Sequence, residues 1–316
     1  MKKAVSISLG ASSRNKTTEI SLLGETVQIE RIGTDGDMQK AAALYAGLDG
    51  KVDCFGVGGA ILGIMHEDRW TPMHSLRQLT QDVRHTPIVD GTGLKMTLEK
   101  QVTRVINEEL DGYVKEKKVF LMVAMDRWGT ARAFLDDGYK CIFGDIMFAI
   151  GLEIPLRNEK TLSRVARTLL PVMSHLPFSW LYPTGEKQEH RDPRYGKWFE
   201  WATVLSGDCH YLWRYMPEKL PGRVVVTNTT TRSDQEFFRN AGIKYLITTT
   251  PVIDGRSFGT NMIEAAIIAA LGRKEPVDYA TGLQMVREAG GKLFDPELVR
   301  IFSGKFNDII RTIGPA

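Results

Sequence analysis

Three aspartates stand where apolar runs give out: Asp126 after Val119–Met125, Asp145 after Phe143-Gly144, and Asp208 after Ser206-Gly207. In a parallel sheet the C-terminal ends of the strands share one edge, and ligands bind there. Converging carboxylates at such an edge suit three tasks: gripping ribose hydroxyls, holding a hard cation, or orienting a catalytic group. Each acid alone serves equally well as a cap for the following helix or turn. Proton-carrying groups lie close by in the chain. Lys95 follows Asp90-Gly91 at the start of a helix, and His210 lies two residues beyond Asp208. A lysine so placed can protonate or deprotonate an alcohol oxygen when its pKa is lowered. A histidine beside the sheet edge is an acid/base candidate. Lys95, Asp126 and His210 are therefore the catalytic candidates.

Residues 118–145 (KVFLMVAMDRWGTARAFLDDGYKCIFGD) read as strand, turn, helix, strand. A dinucleotide turn of this kind carries glycines at its first, third and sixth positions and an acid about 20 residues on. Here those positions are Ala124, Asp126, Gly129 and Asp145. The spacing fits, and the glycines mostly do not. The cofactor-binding candidates are Ala124, Arg127, Gly129, Asp145 and Asp208. Asp145 would accept hydrogen bonds from adenosine ribose and repel a 2′-phosphate, which favours NAD and leaves NADP open. Asp126 repels a pyrophosphate unless Arg127 neutralises it or takes the phosphate itself. The substrate-binding candidates are Asp90, Arg256 and Asn261, with Arg256 and the following helix N-terminus a ready anion site. No residue is assigned to a metal. The runner-up reading uses Asp126, Asp145 and Asp208 as oxygen ligands of Mg²⁺ or a similar ion. A non-catalytic ligand-binding protein is the third class.

The elements that must position these groups follow from periodicity. Ala4–Leu9, Thr17–Leu23 and Thr26–Ile32 alternate in period two, the last two as a hairpin about Gly24-Glu25. Asp37 is a good N-cap for a helix over Met38–Leu48. Val52–Val57 is a strand ending at Gly58-Gly59, a hairpin corner or a second glycine loop. His74–Arg84 reads as helical and Pro87–Val89 as a short strand. Gly93–Tyr113 reads as one long amphipathic helix, apolar at 94, 98, 102, 105 and 106. Leu162–Leu176 is a helix interrupted by Pro171, and 177–200 is an irregular segment rich in aromatics and charges. Strands over 202–206, 224–227 and 245–249 alternate with helices over 233–240 and 261–271. Such alternation implies a parallel sheet. The fold class is α/β: a Rossmann-like sheet over 116–272, a smaller α/β domain over 1–115 before it, and C-terminal helices over 273–316 packing back.

Bulk properties bound the rest. The chain has 316 residues, for which two domains are the natural expectation. The 41 basic residues against 38 acidic ones are too balanced to imply a nucleic-acid partner. Cys54, Cys141 and Cys209 lie far apart in apolar surroundings, which suggests a reducing, cytoplasmic compartment. No apolar run is long enough for a membrane span, and the N-terminal residues do not read as a signal peptide. The expected partner is a small-molecule substrate, with a homo-oligomer left open.

Several stretches resemble a family of bacterial proteins labelled quinate 5-dehydrogenase: IGTDGD (32–37), VDGTGLK (89–95), FSWLYPTGEKQE (178–189), SGDCHYLWRYMP (206–217), TNTTT (227–231) and TTTPVIDGRSFGTN (248–261). The resemblance spans most of the chain. It implies an NAD(P)-dependent oxidation of a cyclohexane polyol acid, on a substrate domain followed by a nucleotide domain. The wider shikimate/quinate dehydrogenase class carries a catalytic lysine at a strand–helix junction of the first domain, and Lys95 is its nearest analogue. That class has an Asn-Thr-Asp-Gly string after the lysine, whereas Thr34-Asp35-Gly36 here precedes it.

Overall fold

The computed structural model describes residues 1–22, 24–110, 112–177, 191–250, 252, 253 and 256–272. The aromatic segment 178–190 and the C-terminal helices expected over 273–316 lie outside the described residues, as does the side chain of Arg256.

Two five-stranded sheets carry the chain. The first holds β1 (Lys2–Ser8), β2 (Lys16–Leu22), β3 (Glu25–Gly33), β4 (Cys54–Gly58) and, after a hairpin of β5 (Gly63–His66) and β6 (Arg69–Pro72), β7 (Ile88–Val89). Its order is β2-β3-β1-β4-β7, with β2 the antiparallel hairpin edge and the rest parallel. The second holds β8 (Lys118–Leu121), β9 (Lys140–Phe143), β10 (Val204–Ser206), β11 (Val224–Thr227) and β12 (Tyr245–Thr248). All its strands are parallel, in the order β12-β11-β10-β8-β9. A small antiparallel pair, β13 (Val252–Ile253) and β14 (Arg256–Ser257), follows.

The second sheet is buried on both faces, which is why its strands read as unbroken apolar runs. Val119 and Leu121 point to one face, with the helices Val102–Glu109, Trp128–Asp136 and Glu159–Met173. Phe120 points to the other, with the helices Gly196–Trp201, Cys209–Tyr215 and Arg232–Asn240. The first sheet is likewise covered by the helix Met38–Leu48 on one face. Asp37 caps that helix as expected, its carboxylate accepting from Lys40 N at 2.9 Å. The other face is covered by the helix Thr260–Leu271, which lies across β1, β3 and β4. This helix follows the second sheet in the chain but packs on the first.

The helix expected over His74–Arg84 is a 3₁₀ turn at His74–Leu76 and a single helical turn over Arg77–Thr80, the segment expected to be irregular ends in the helix Gly196–Trp201, and two longer helices also differ from the sequence expectation. The helix expected over Gly93–Tyr113 is broken into Thr92–Thr97, a tight 3₁₀ turn at Leu98–Gln101, and Val102–Glu109. Leu94 lies in the core of the first sheet, while Val102 and Ile106 lie in that of the second. One straight helix cannot serve both cores, and the turn between them redirects it. The helix about Pro171 runs from Glu159 to Met173 without interruption, because Pro171 falls in its last turn, where only one internal bond is forfeited. Among the described residues no helix is long and apolar enough to cross a membrane.

Candidate functional site

The strand order of the second sheet reverses at β8: the chain passes from β8 out to β9, then back across to β10. The crevice at the C-terminal ends of β8 and β10 is therefore the topological switch point, where such sheets bind ligands. Met122–Arg127 follows β8, and Gly207-Asp208 follows β10.

Four of the expected residues meet there. Lys95, carried by the helix Thr92–Thr97, donates from Nζ to Asp126 Oδ1 at 2.9 Å and to Oδ2 at 2.8 Å. Arg127 Nε donates to Asp208 Oδ1 at 3.0 Å, and Nη2 binds the same oxygen. Arg127 Nη1 binds Glu99 Oε1. Glu99, fully buried, also accepts from Thr130 Oγ1 at 2.8 Å and Thr249 Oγ1 at 3.2 Å. The result is a half-buried cluster of alternating charge in which Lys95 and Arg127 each have a carboxylate partner.

Electrostatics follows from burial against pairing. Burial disfavours the Lys95 ammonium most strongly, yet the carboxylates of Asp126, Asp208 and Asp90 outweigh it, and its pKa lies above the ordinary lysine value. The lowered value expected for an alcohol base is thus corrected: the resting Lys95 is a held proton. Arg127 is shifted up in the same way, burial being overcome by Asp208 and Glu99. Asp208 is pushed up by burial and pulled down harder by Arg127, His210 and Lys95, to about 2.

The other expected residues are drawn into the fold. Ala124 is fully buried, and its carbonyl accepts from Arg127 N at 3.1 Å. A Cβ on Gly129 would lie 1.9 Å from the Lys95 carbonyl oxygen, so this glycine admits a neighbouring helix rather than a pyrophosphate. Asp145 lies two residues beyond β9, opening the helix Asp145–Ile150, and its carboxyl turns inward to accept from Met125 N at 2.8 Å. Burial pushes it up to about 7 against the pull of the Met125 and Ala124 amides. Asp90 is buried, accepting from Leu62 N at 2.6 Å and Thr92 N at 3.0 Å. Asn261 Nδ2 donates to Ser6 Oγ at 2.6 Å. His210 is exposed and rests on Tyr211, with ring centroids 4.3 Å apart. In this conformation Ala124, Gly129, Asp145, Asp90 and Asn261 are each engaged within the fold.

Asp126, Asp145 and Asp208 share the sheet edge, and each has a partner of its own: Lys95, the Met125 amide and Arg127. Among the described residues no three His, Cys, Asp or Glu side chains gather as metal ligands would. Sequence reasoning missed Glu99, Thr130, Thr249 and Glu264. Glu99 carries no local signal, since a glutamate in an amphipathic helix reads as a solvated face. Glu264 does carry one: it is the only charge in TNMIEAAIIAAL.

The Gly129 contact makes a direct prediction. Gly129→Ala should force the helices Thr92–Thr97 and Trp128–Asp136 apart and destabilise the fold by about 1–3 kcal/mol, as overpacking does. Urea denaturation measures this; an unchanged midpoint would mean the helices do not cross so closely.

The NAD-dependent malic enzyme of Thermotoga maritima is similar at 12% identity and a TM-score of 0.37, over 96% of this chain and 83% of that one. A malic enzyme from Pyrococcus horikoshii is similar at 10% identity and a TM-score of 0.30, over 99% of this chain and 84% of that one. Likenesses this distant carry nothing about the reaction. No curated relative matches the chain. Residues 3–90 match a domain of unknown function, DUF8753, and residues 93–299 match a second, DUF8754. The latter spans more than half of the sequence, and the chain belongs to the DUF8754 family.

Proposed function

We propose that the chain is an NAD(P)-dependent oxidoreductase acting on a small hydroxylated acid, such as quinate or shikimate. The observation that carries this reading is the Lys95–Asp126 pair at the switch point of a parallel sheet, its lysine buried and its aspartate half-buried. An ammonium held by a carboxylate can hand its proton to a carbonyl oxygen as negative charge develops on it, and take it back from an alcohol. Asp126 fixes the direction of the ammonium and keeps it charged. Arg127 is already committed to Glu99 and Asp208, so it is part of the scaffold of the site. The β8 turn does not fit a pyrophosphate in the usual manner, since a Cβ on Gly129 would already meet the Lys95 carbonyl.

Titration calorimetry tests the reading. At least one of NAD and NADP should bind the full chain with a dissociation constant below about 1 mM, roughly −4 kcal/mol. Absence of heat with both at millimolar concentration would end the oxidoreductase reading.

A further inference from the structure

Among the described residues, two carboxyl groups are buried beside backbone amides and leave one oxygen without a partner. They are Asp145, 4% exposed, and Glu264, 1% exposed, unpaired at Oδ2 and Oε2. Asp145 accepts from Met125 N at 2.8 Å, inside the turn that presents Asp126. Glu264, buried on the helix Thr260–Leu271, lies against the helix Thr92–Thr97, where the amides of Gly93, Leu94 and Gly91 favour its carboxylate form. Those amides open the helix Thr92–Thr97, and Lys95 N bonds back to Gly91 O at 3.0 Å. Gly91, at φ +93°, lies so close to Thr260 that a Cβ would fall 2.6 Å from its hydroxyl. Each half of the Lys95–Asp126 pair thus stands on a turn fastened from behind by a buried carboxyl.

An apolar side chain at either place would pack as well and avoid burying a polar group, but it would leave the turn amides without an acceptor. The carboxyl is explained by what it holds. We propose that Asp145 and Glu264 are positioning residues, which keep the two turns in register so that Lys95 meets Asp126. This rests on the pair being the chemistry of the site, and it makes Asp145 a clamp rather than a ribose ligand. Asp126 faces Asp145, while Asp90 and the Cys54 thiol face Glu264. Burial, with Asp90 adding to it, pushes Glu264 up to about 8. At neutrality Asp145, at about 7, is half protonated and Glu264 mostly so, a form that Asn and Gln imitate.

The test uses the full chain with Asp145→Asn, Asp145→Ala, Glu264→Gln and Glu264→Ala. Lys95 is labelled with an amine-acylating reagent and read by mass spectrometry, alongside hydrogen exchange at 91–94 and 124–126. Each alanine variant should raise Lys95 labelling by about tenfold and expose its own turn to exchange, as a local opening does. The Asn and Gln variants should keep Lys95 close to wild type, because they retain the acceptor oxygen. A merely structural role would raise exchange across both sheets alike. Should the alanine variants not fold, wild type still decides: from about pH 4 to about pH 8 the clamp carboxyls ionise first in the opened turns, so opening should grow easier and accelerate Lys95 labelling beyond the reagent's own pH dependence, levelling above about pH 8. Asp145→Asn and Glu264→Gln should each remove part of that step. Unchanged Lys95 reactivity in the alanine variants, or an identical pH step in the Asn and Gln variants, would overturn the proposal. Turnover is not measured, so failure here is distinct from failure to bind a nicotinamide cofactor.

Discussion

Lys95→Ala should lower turnover of the hydroxy acid by about 10²–10⁴-fold, the range for losing a positioned acid/base. Lys95→Arg should not restore it, since a guanidinium keeps its proton at any working pH. The pH dependence has a definite sign. Lys95 titrates above its ordinary value, so the ammonium persists through the neutral range. Carbonyl reduction should be flat there and fall as pH climbs through the raised pKa. Alcohol oxidation, which needs the free amine, should rise over that same alkaline window. Asp126→Asn removes the strongest force opposing burial, lowers the lysine pKa and moves both limbs to lower pH. Steady-state rates from neutral to strongly alkaline pH measure all of this. A Lys95→Ala enzyme retaining wild-type turnover would remove the lysine from the chemistry.

The second large effect is on stability. Arg127→Ala should destabilise the protein by about 3–5 kcal/mol, because it strands a buried carboxylate without its cation. Glu99 is fully buried, and its other partners are two threonine hydroxyls. Arg127→Lys should recover only part of the loss, since one ammonium cannot reach Glu99 and Asp208 together. Asp208, held at about 2, adds an acid limb. Its contribution is complete above the unfolded carboxylate value of about 4 and fades as pH falls toward 2. Arg127→Ala should flatten that limb. Urea denaturation between acid and neutral pH gives both numbers, and a loss under about 1 kcal/mol at neutral pH would show that the buried network is not strongly coupled.

Much of the architecture was legible in the residues because it depends on local pattern. The helix Met38–Leu48 with its Asp37 cap, the β2–β3 hairpin and the strand Val224–Thr227 all lie where period and capping put them. The acids at the strand ends were legible for the same reason, and Asp126 and Asp208 do frame the switch point. What could not be read was set by tertiary packing. Gly129 matches a nucleotide fingerprint in spacing, yet the atom that requires it belongs to Lys95, 34 positions earlier. The break at Leu98–Gln101 follows from one segment serving two cores, which no window of sequence shows. Asp145 looks like a ribose ligand from its position alone, and only its inward rotamer reveals the bond to Met125.

The helix Thr260–Leu271 bears on the order in which the protein is made. Its residues 262–270 are all buried, and they cover one face of a sheet whose strands were synthesised some two hundred positions earlier. A nascent chain that has emerged as far as β12 already contains every strand of the second sheet. The first sheet, although made first, then still has one apolar face bare and the Gly91 turn without Glu264. Completion of the molecule therefore runs against the direction of synthesis: the later half can close first, and the earlier half waits on the ribosome for a helix that seals its core and sets Lys95 in the same step.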